Sequence, residues 1–169
     1  MRGAVFFDRD GVLNVDVAYA HRPEQIIWTE GAMEAVRLAN DADYLVFVVT
    51  NQAGVARGLY RESDVQDLHQ WMKREFEMQG ATIDAFAYCP HHPTEGKNPN
   101  YRIDCECRKP KPGMLLTLMQ RFQVNPSRSF LIGDKDTDVQ AAKAAGMRGY
   151  IFTSGNLAVF TQQYLLPSP

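Results

Sequence analysis

The chain has 169 residues, 45% hydrophobic and 22% charged, with 12 glycines and 9 prolines. That suits one domain over residues 1–169 with a core needing no disulfide staples, and excludes collagenous, low-complexity and disordered classes. A net charge of −2 supplies neither a basic field for nucleic acid nor a polybasic membrane anchor. No signal-peptide core follows Met1-Arg2-Gly3 and no apolar run is long enough to cross a bilayer, so a cytosolic chain acting as a monomer is expected.

In chain order, Ala4–Phe7 reads as a strand that ends at Asp8. A helix is predicted from about Gly31 to Ala42, with Ala32, Ala35, Val36 and Ala39 as its apolar side. The continuous apolar run Leu45–Val49 suits a strand covered on both faces and ends in Thr50-Asn51. Ser63 and Gln66 have capping-box spacing for a helix carrying Val65, Leu68, Met72 and Phe76, with Gly80 as its stop. Ile83–Tyr88 reads as a strand, and the segment from Pro90 to Asp104 as a loop without periodicity. Pro112-Gly113 opens a helix with Leu115, Leu118, Met119 and Phe122. Phe130–Ile132 is a predicted strand, Asp136–Ala145 a helix stopped by Gly146, and Tyr150–Phe152 a last strand. The end of the sequence, Leu165-Leu166-Pro167, shows no clear final strand and helix. This alternation predicts a three-layer, doubly wound, Rossmann-like α/β domain with a mostly parallel sheet.

In such sheets ligands bind beyond the carboxyl ends of the strands. The polar chemistry gathers there: Asp8 and Asp10, Thr50 and Asn51, Asp134 and Lys135. One such end is an ordinary turn; three together point to a site. Asp8 and Asp10, two residues apart, project to one side if the backbone stays extended, and Gly11 lets the chain turn behind them. The second acidic group, Asp134, Asp136 and Asp138, follows another apolar strand. Hard oxygen donors suit Mg²⁺, which also bridges to phosphate. Asp136 is expected to cap a helix, whereas Asp138 suits either capping or the metal. Arg108-Lys109-Pro110-Lys111-Pro112-Gly113 supplies complementary cations. A lysine held by prolines beside carboxylates can neutralise a phosphoryl group in flight, while Lys111 is expected on a solvated surface.

The three cysteines, Cys89, Cys105 and Cys107, crowd one stretch together with His91 and His92. An odd, clustered set in a reducing compartment points to metal before disulfide. Cys89, Cys105, Cys107 and one imidazole make a Cys₃His set for structural Zn²⁺ that would order an otherwise irregular loop. Spacing alone leaves His91 and His92 both open.

Asp8-x-Asp10-Gly11, Thr50-Asn51, Lys109-Pro110 and Gly133-Asp134-x-x-x-Asp138 resemble, in order and over nearly the whole chain, the four motifs of haloacid dehalogenase (HAD) superfamily phosphatases. The resemblance implies an aspartyl-phosphate mechanism. Asp8 would attack phosphorus, and Asp10 would protonate the leaving alcohol and later activate water. Thr50 would hold the phosphoryl oxygens and Lys109 both nucleophile and phosphate. Mg²⁺ would sit on Asp8, the Asp10 backbone carbonyl and Asp134.

No long insertion separates Asp8, Thr50 and Lys109, so a separate cap domain is not expected and any lid is made of loops. The chain is similar to the capless, zinc-bearing subgroup, whose members include heptose-bisphosphate and histidinol-phosphate phosphatases. Thr50-Asn51-Gln52-x-Gly54-Val55-Ala56-Arg57-Gly58, Cys89-Pro90-His91-His92-Pro93, Cys107-Arg108-Lys109-Pro110-x-Pro112-Gly113-Met114 and Gly133-Asp134-Lys135 resemble the heptose enzymes more closely. This implies removal of the 7-phosphate from a heptose 1,7-bisphosphate on the way to a surface glycan such as lipopolysaccharide. Histidinol phosphate or another small phosphomonoester is the alternative. The resemblance favours His91 as the zinc imidazole and implies substrate contacts from Asp16 to Tyr19 and from Asn51, Gln52, Arg108 and Lys135. Ala53 stands where the heptose enzymes often carry Ser, and Val17-Ala18 where they often carry His-Gly. A receiver-type signalling domain would need no zinc loop and no Asp10, and a zinc-stabilised binding module would be indifferent to Asp8→Asn.

Overall fold

Alternation along the first strand decides the layering. In β1 (Ala4–Phe7), Val5 and Phe7 enter one buried cluster while Ala4 and Phe6 enter another on the opposite face, the period of two that strand side chains follow. The structure is a computed structural model and describes residues 1–166. Among these residues β1 is joined by β2 (Leu45–Asn51), β3 (Ala85–Cys89), β4 (Phe130–Gly133) and β5 (Arg148–Ile151) in one sheet. All the pairings are parallel and the order is β3-β2-β1-β4-β5.

The helices α1 (Ala32–Asp41), α2 (Glu62–Met78), α3 (Gly113–Phe122), α4 (Asp136–Ala144) and α5 (Leu157–Gln162) cover both faces. Val36 of α1, Phe76 of α2 and Leu157 of α5 pack with Val5, Val46 and Ile132. Leu115 of α3 and Ala142 of α4 pack with Phe6, Phe47 and Leu131. Parallel connections place helices on both faces, so the strands are buried on each. This is the predicted three-layer α/β fold. Between β1 and α1 lies only a 3₁₀ turn at Pro23–Gln25, and residues 90–112 hold no helix or strand, so no separate cap domain interrupts the described residues.

Several boundaries differ from the sequence-based expectation. Helix α2 begins at Glu62, and its capping interaction is the Asp64 carboxylate accepting from the Arg61 N–H at 2.8 Å. Ser63 and Gln66 make no box; Gln66 donates instead to the Tyr88 hydroxyl at 2.8 Å. The N-cap is Arg61, which offers no capping hydroxyl, and the Asp64 carboxylate at the third helical position, a strong acceptor at a helix N-terminus, sets the start. Strand β3 starts at Ala85 because the Asp84 carboxylate accepts from the Val46 N–H at 2.8 Å, ahead of the regular ladder, while Ile83 stays in the core. Strand β5 runs over Arg148–Ile151 where Tyr150–Phe152 was expected. A final helix, α5, exists that the sequence reading did not find; Asn156 Oδ1 caps it, accepting from Ala158 and Val159 at 2.8 and 3.1 Å. Pro167 lies outside the described residues.

The chain leaves β1 toward β2 and β3, then returns past β1 to β4 and β5. The order therefore reverses beside β1, and the carboxyl ends of β1, β2 and β4 open on one crevice.

Candidate active site

Three strand ends deliver the reactive groups. Asp8 follows β1, its N–H donating to the Ile132 carbonyl at 2.9 Å, so the sheet ladder itself fixes where the carboxylate begins. Thr50 is the last residue but one of β2, and Asp134 follows β4. Gly11 turns the chain at φ +88°, and a Cβ there would lie 2.2 Å from Asp134 Oδ2. Only glycine lets the β1 loop pass this close to the β4 carboxylate.

Lys109 reaches this crevice from the loop after the cysteine cluster and is buried. Its ammonium donates to Asp8 Oδ1 at 3.0 Å and the Val49 carbonyl at 2.9 Å, and pairs with Asp138 Oδ1 at 2.6 Å. These partners match the three protons of an ammonium. Burial opposes its charge, but Asp8 and Asp138 outweigh burial and hold its pKa above the ordinary lysine value. Asn51 pins the backbone of Lys109 from both sides: its Oδ1 accepts from the Lys109 N–H at 3.0 Å and its Nδ2 donates to the Lys109 carbonyl at 3.2 Å. Asp138 also accepts at Oδ2 from the Asp134 and Lys135 N–H groups, both at 3.1 Å. It thus caps α4, one of the two readings of this residue, and also holds Lys109, a role the sequence reading did not give it.

Asp8, Asp134 and Asp138 offer carboxylate oxygens within 4.8 Å of one another. Burial pushes the Asp8 carboxyl up to about 8 against the pull of Lys109, with Asp138 and Asp134 pushing the same way as burial. The carboxyl of Asp134 is raised too, by burial first. Asp134 Oδ1 is buried without a hydrogen-bond partner. Crowded carboxylates with an orphaned oxygen are what a divalent cation relieves, and an all-oxygen donor set fits Mg²⁺.

The Asp10 carboxylate turns away from that cluster. Oδ1 accepts from Arg9 Nε at 3.1 Å and Asn14 Nδ2 at 2.9 Å; Oδ2 accepts from Arg9 Nη2 at 3.0 Å and Gln52 Nε2 at 3.1 Å. Gln52 also donates to Thr50 Oγ1 at 2.9 Å, and its Oε1 accepts from the Tyr60 hydroxyl at 2.5 Å. Burial pushes the Tyr60 phenol up to about 12, so it donates throughout the ordinary pH range. Gly54 makes room for that ring: a Cβ there would lie 2.3 Å from it.

A cavity of about 440 Å³ opens over these groups. Asp8, Asp10, Thr50 and Lys109 line it, and so do Asp16, Tyr19, Asn51, Gln52, Arg108 and Lys135. Tyr60, Arg57 and Thr137 line it as well, and none of these carried a role in the sequence reading. Arg57 is ion-paired with Glu95 across the cavity's edge. Ala18 and Tyr19 adopt φ of +60° and +61°, a left-handed stretch in which Asp16 Oδ1 accepts from the Ala18 N–H at 3.0 Å. Lys111 lies outside, paired with Asp104 and Glu106 on an exposed surface.

The sulfurs of Cys89, Cys105 and Cys107 and the Nδ1 of His91 form a second cluster, also within 4.8 Å of one another. Cys107 Sγ lies 2.9 Å from Cys89 Sγ, 3.3 Å from Cys105 Sγ and 3.4 Å from His91 Nδ1. His92 turns elsewhere, its Nδ1 accepting from the Thr94 and Glu95 N–H groups at 3.2 and 2.9 Å. The choice between imidazoles that spacing left open therefore falls to His91. Burial opposes ionisation of Cys105, yet hydrogen bonds from Cys107, the Arg108 N–H, Cys89 and His91 bring its thiol down to about 6. Three sulfurs and one imidazole facing inward are a closed donor set that fits Zn²⁺.

Comparison with known proteins gives the same picture. Residues 106–163 match the HAD-hydrolase-like family model. The chain is 48% identical over 165 residues to the D-glycero-beta-D-manno-heptose-1,7-bisphosphate 7-phosphatase of Rhodopseudomonas palustris, covering 98% of this chain and 91% of that one. It is 42% identical to the D-glycero-alpha-D-manno-heptose-1,7-bisphosphate 7-phosphatase of Burkholderia mallei, covering 85% and 76%. Among solved structures, the D,D-heptose 1,7-bisphosphate phosphatase of B. bronchiseptica, complexed with magnesium and phosphate, superposes with a TM-score of 0.79 at 33% identity, covering 96% of this chain and 86% of that one.

Proposed function

Because the chain belongs to the D-glycero-D-manno-heptose-1,7-bisphosphate 7-phosphatase family of HAD-like phosphatases, we propose that it removes the 7-phosphate of such a sugar through a phosphorylated Asp8. The observation that carries this reading is the buried Lys109 ammonium, 3.0 Å from Asp8 Oδ1 at the floor of a cavity that Asp10 and Thr50 also line. Uncatalysed phosphate monoesters are so inert that enhancements can approach ~10²¹, and a carboxylate nucleophile divides that barrier into two displacements.

In the first displacement Asp8 attacks phosphorus, and Asp10 gives a proton to the departing sugar oxygen. In the second, Asp10 takes a proton from the water that cleaves the acyl phosphate, and Asp8 is regenerated. Lys109 and the Thr50 hydroxyl stabilise charge on the phosphoryl oxygens, with Lys109 held in place by Asp138 and Asn51. Asp8, Asp134 and the Asp10 carbonyl would hold Mg²⁺, which when bound supplies further positive charge to those oxygens. Asp16, Tyr19, Asn51, Gln52, Arg108 and Lys135 are assigned to the sugar and its second phosphate; the fork of Arg108 suits bidentate recognition. Cys89, His91, Cys105 and Cys107 would hold structural Zn²⁺ and so aim Arg108 and Lys109, the next residues in the chain, into the cavity.

The reading takes residues 1–169 as one catalytic domain, monomeric and cytosolic, supplying heptose for lipopolysaccharide. What supports the single domain is that Asp8, Asp10, Thr50, Lys109 and Asp138 of one chain line a single cavity; no helix among the described residues is long and apolar enough to cross a membrane. Asp8→Asn is expected to lower kcat by at least ~10³-fold with unchanged circular dichroism. Acid quench of the wild type during turnover of substrate labelled at the 7-phosphate should leave label on Asp8. Label on another residue, or near-normal turnover by Asp8→Asn, contradicts the assignment.

A further inference from the structure

Arg9 heads the largest fully buried side chains among the described residues; it stands between Asp8 and Asp10 in the chain, yet it is not among the residues that line the cavity. Its guanidinium is used on three sides. Nε and Nη2 grip the two oxygens of Asp10 at 3.1 and 3.0 Å, and Nη2 also donates to the Ala20 carbonyl at 2.8 Å. Nη1 lies 3.2 Å from Nε2 of His69, a buried residue of α2 whose ring stacks on Phe86 at 4.7 Å. An arginine has only donors, so His69 must accept through Nε2 and carry its proton on Nδ1. Burial, with Arg9 beside it, keeps His69 well below the ordinary histidine range, so that lone pair is present at neutral pH. A guanidinium is planar; a fixed acceptor on one edge fixes the direction of the opposite edge.

We propose that Arg9 and His69 form a buried positioning pair: the His69 ring sets the plane of the Arg9 guanidinium, which in turn orients the Asp10 carboxylate and anchors the 16–21 loop through Ala20. The proposal rests on the reading of Asp10 as the proton-transfer group. Neither residue is among those that line the cavity. The loop that Arg9 anchors carries Asp16, Ala18 and Tyr19 into the cavity wall, and His21 at its end stacks on Tyr60 at 4.9 Å. The pair thus ties α2, remote from the chemistry, to both the proton-transfer group and the substrate wall. A small rotation of Asp10 is costly because proton transfer demands hydrogen-bond geometry in the transition state.

The test is a double-mutant cycle on the full chain with Mg²⁺ and heptose 1,7-bisphosphate, using Asp10→Asn, His69→Phe and the pair of changes together. His69→Phe keeps an aromatic ring against Phe86 but removes the acceptor. It is expected to lower kcat by at least ~10-fold through Asp10, with any rise in KM reading the loosened 16–21 loop separately. His69→Gln, whose amide oxygen can accept, should recover most of that loss. Within Asp10→Asn, adding His69→Phe should lower kcat less than about twofold further. Arg9→Lys, which keeps the charge but loses the fork, gives the same Asp10-dependent loss and serves if His69→Phe does not fold. An equal loss in both backgrounds would mean a merely structural role and overturn the proposal. So would wild-type kcat in His69→Phe while Asp10→Asn is inactive. Wild-type kcat in Asp10→Asn itself would instead remove the proton-transfer reading on which the pair rests.

Discussion

Asp8, Asp10 and Thr50 are legible because they lie at or just beyond the ends of apolar runs, and Lys109 because it stands in a proline-flanked basic segment that complements those carboxylates. Arg9 and His69 are not. An arginine beside two aspartates reads as a solvated charge, and a histidine on the helix stripe Val65, Leu68, Met72 and Phe76 reads as filler. Only the fold shows that the arginine points inward and that the histidine is its acceptor. Asn51 and Gln52 show a related limit: the motif marks them, but their amides are spent on Lys109 in one case and on Asp10, Thr50 and Tyr60 in the other. At this scale His69 has a consequence for stability. Its folded pKa lies well below the ordinary value of 6.5, so below about pH 6.5 the unfolded chain binds a proton that the folded chain refuses. Stability from this residue is therefore present above pH 6.5 and declines as pH falls, by at most about 1.4 kcal/mol per pH unit. The groups facing its ring are Arg9, Phe86 and Tyr88. Denaturant midpoints between pH 5 and 8 should show a shallower acid decline in His69→Gln than in the wild type. Parallel curves would show that His69 does not contribute.

Among the elements, the long apolar runs were read closely, since a buried parallel strand has little freedom to be anything else: β1 matched at both ends. The edge strand β5 did not, because Arg148 and Ile151 are exposed there and supply no hydrophobic boundary. Helix α5 escaped because six residues are too short to show a period; its signal is local, the cap Asn156 before Leu157 and Ala158. The turn after β1 was legible through Gly11, and its meaning was not, because the close neighbour comes from β4. Gly11→Ala puts a Cβ at positive φ against the Asp134 carboxylate. It should cost about 1 kcal/mol or more of stability and raise the Mg²⁺ concentration needed for half-maximal activity. An unchanged Mg²⁺ requirement would place Asp134 outside the metal site.

At the level of the whole molecule, two metal-competent clusters are joined through a short piece of chain. Cys107 is followed directly by Arg108 and Lys109, and Arg108 donates to the His91 carbonyl at 3.4 Å. Tyr101, in the same loop, donates to Glu62 of α2 at 2.6 Å. Cys107→Ser should therefore lower zinc content and cost about 2 kcal/mol or more, a fall in Tm of roughly 4–8 °C. It should also lower kcat more than it changes the Mg²⁺ dependence, because Lys109 is displaced while Asp8 and Asp134 are not. Full zinc-free stability would dispose of the structural role. Motif spacing makes both clusters visible in the sequence; which residues line the cavity needs the fold.

What the cavity selects is the substrate. The deciding measurement is kcat/KM, with Mg²⁺ and one wild-type preparation, for both anomers of heptose 1,7-bisphosphate and for histidinol phosphate. A site whose wall combines Arg108, Lys135 and the 16–19 loop should favour a heptose bisphosphate by at least ~10²-fold, about 2.7 kcal/mol of transition-state binding. Preference for histidinol phosphate, or equally weak turnover of all three, would contradict the account and place Ala53 and Val17-Ala18 at the origin of a different specificity.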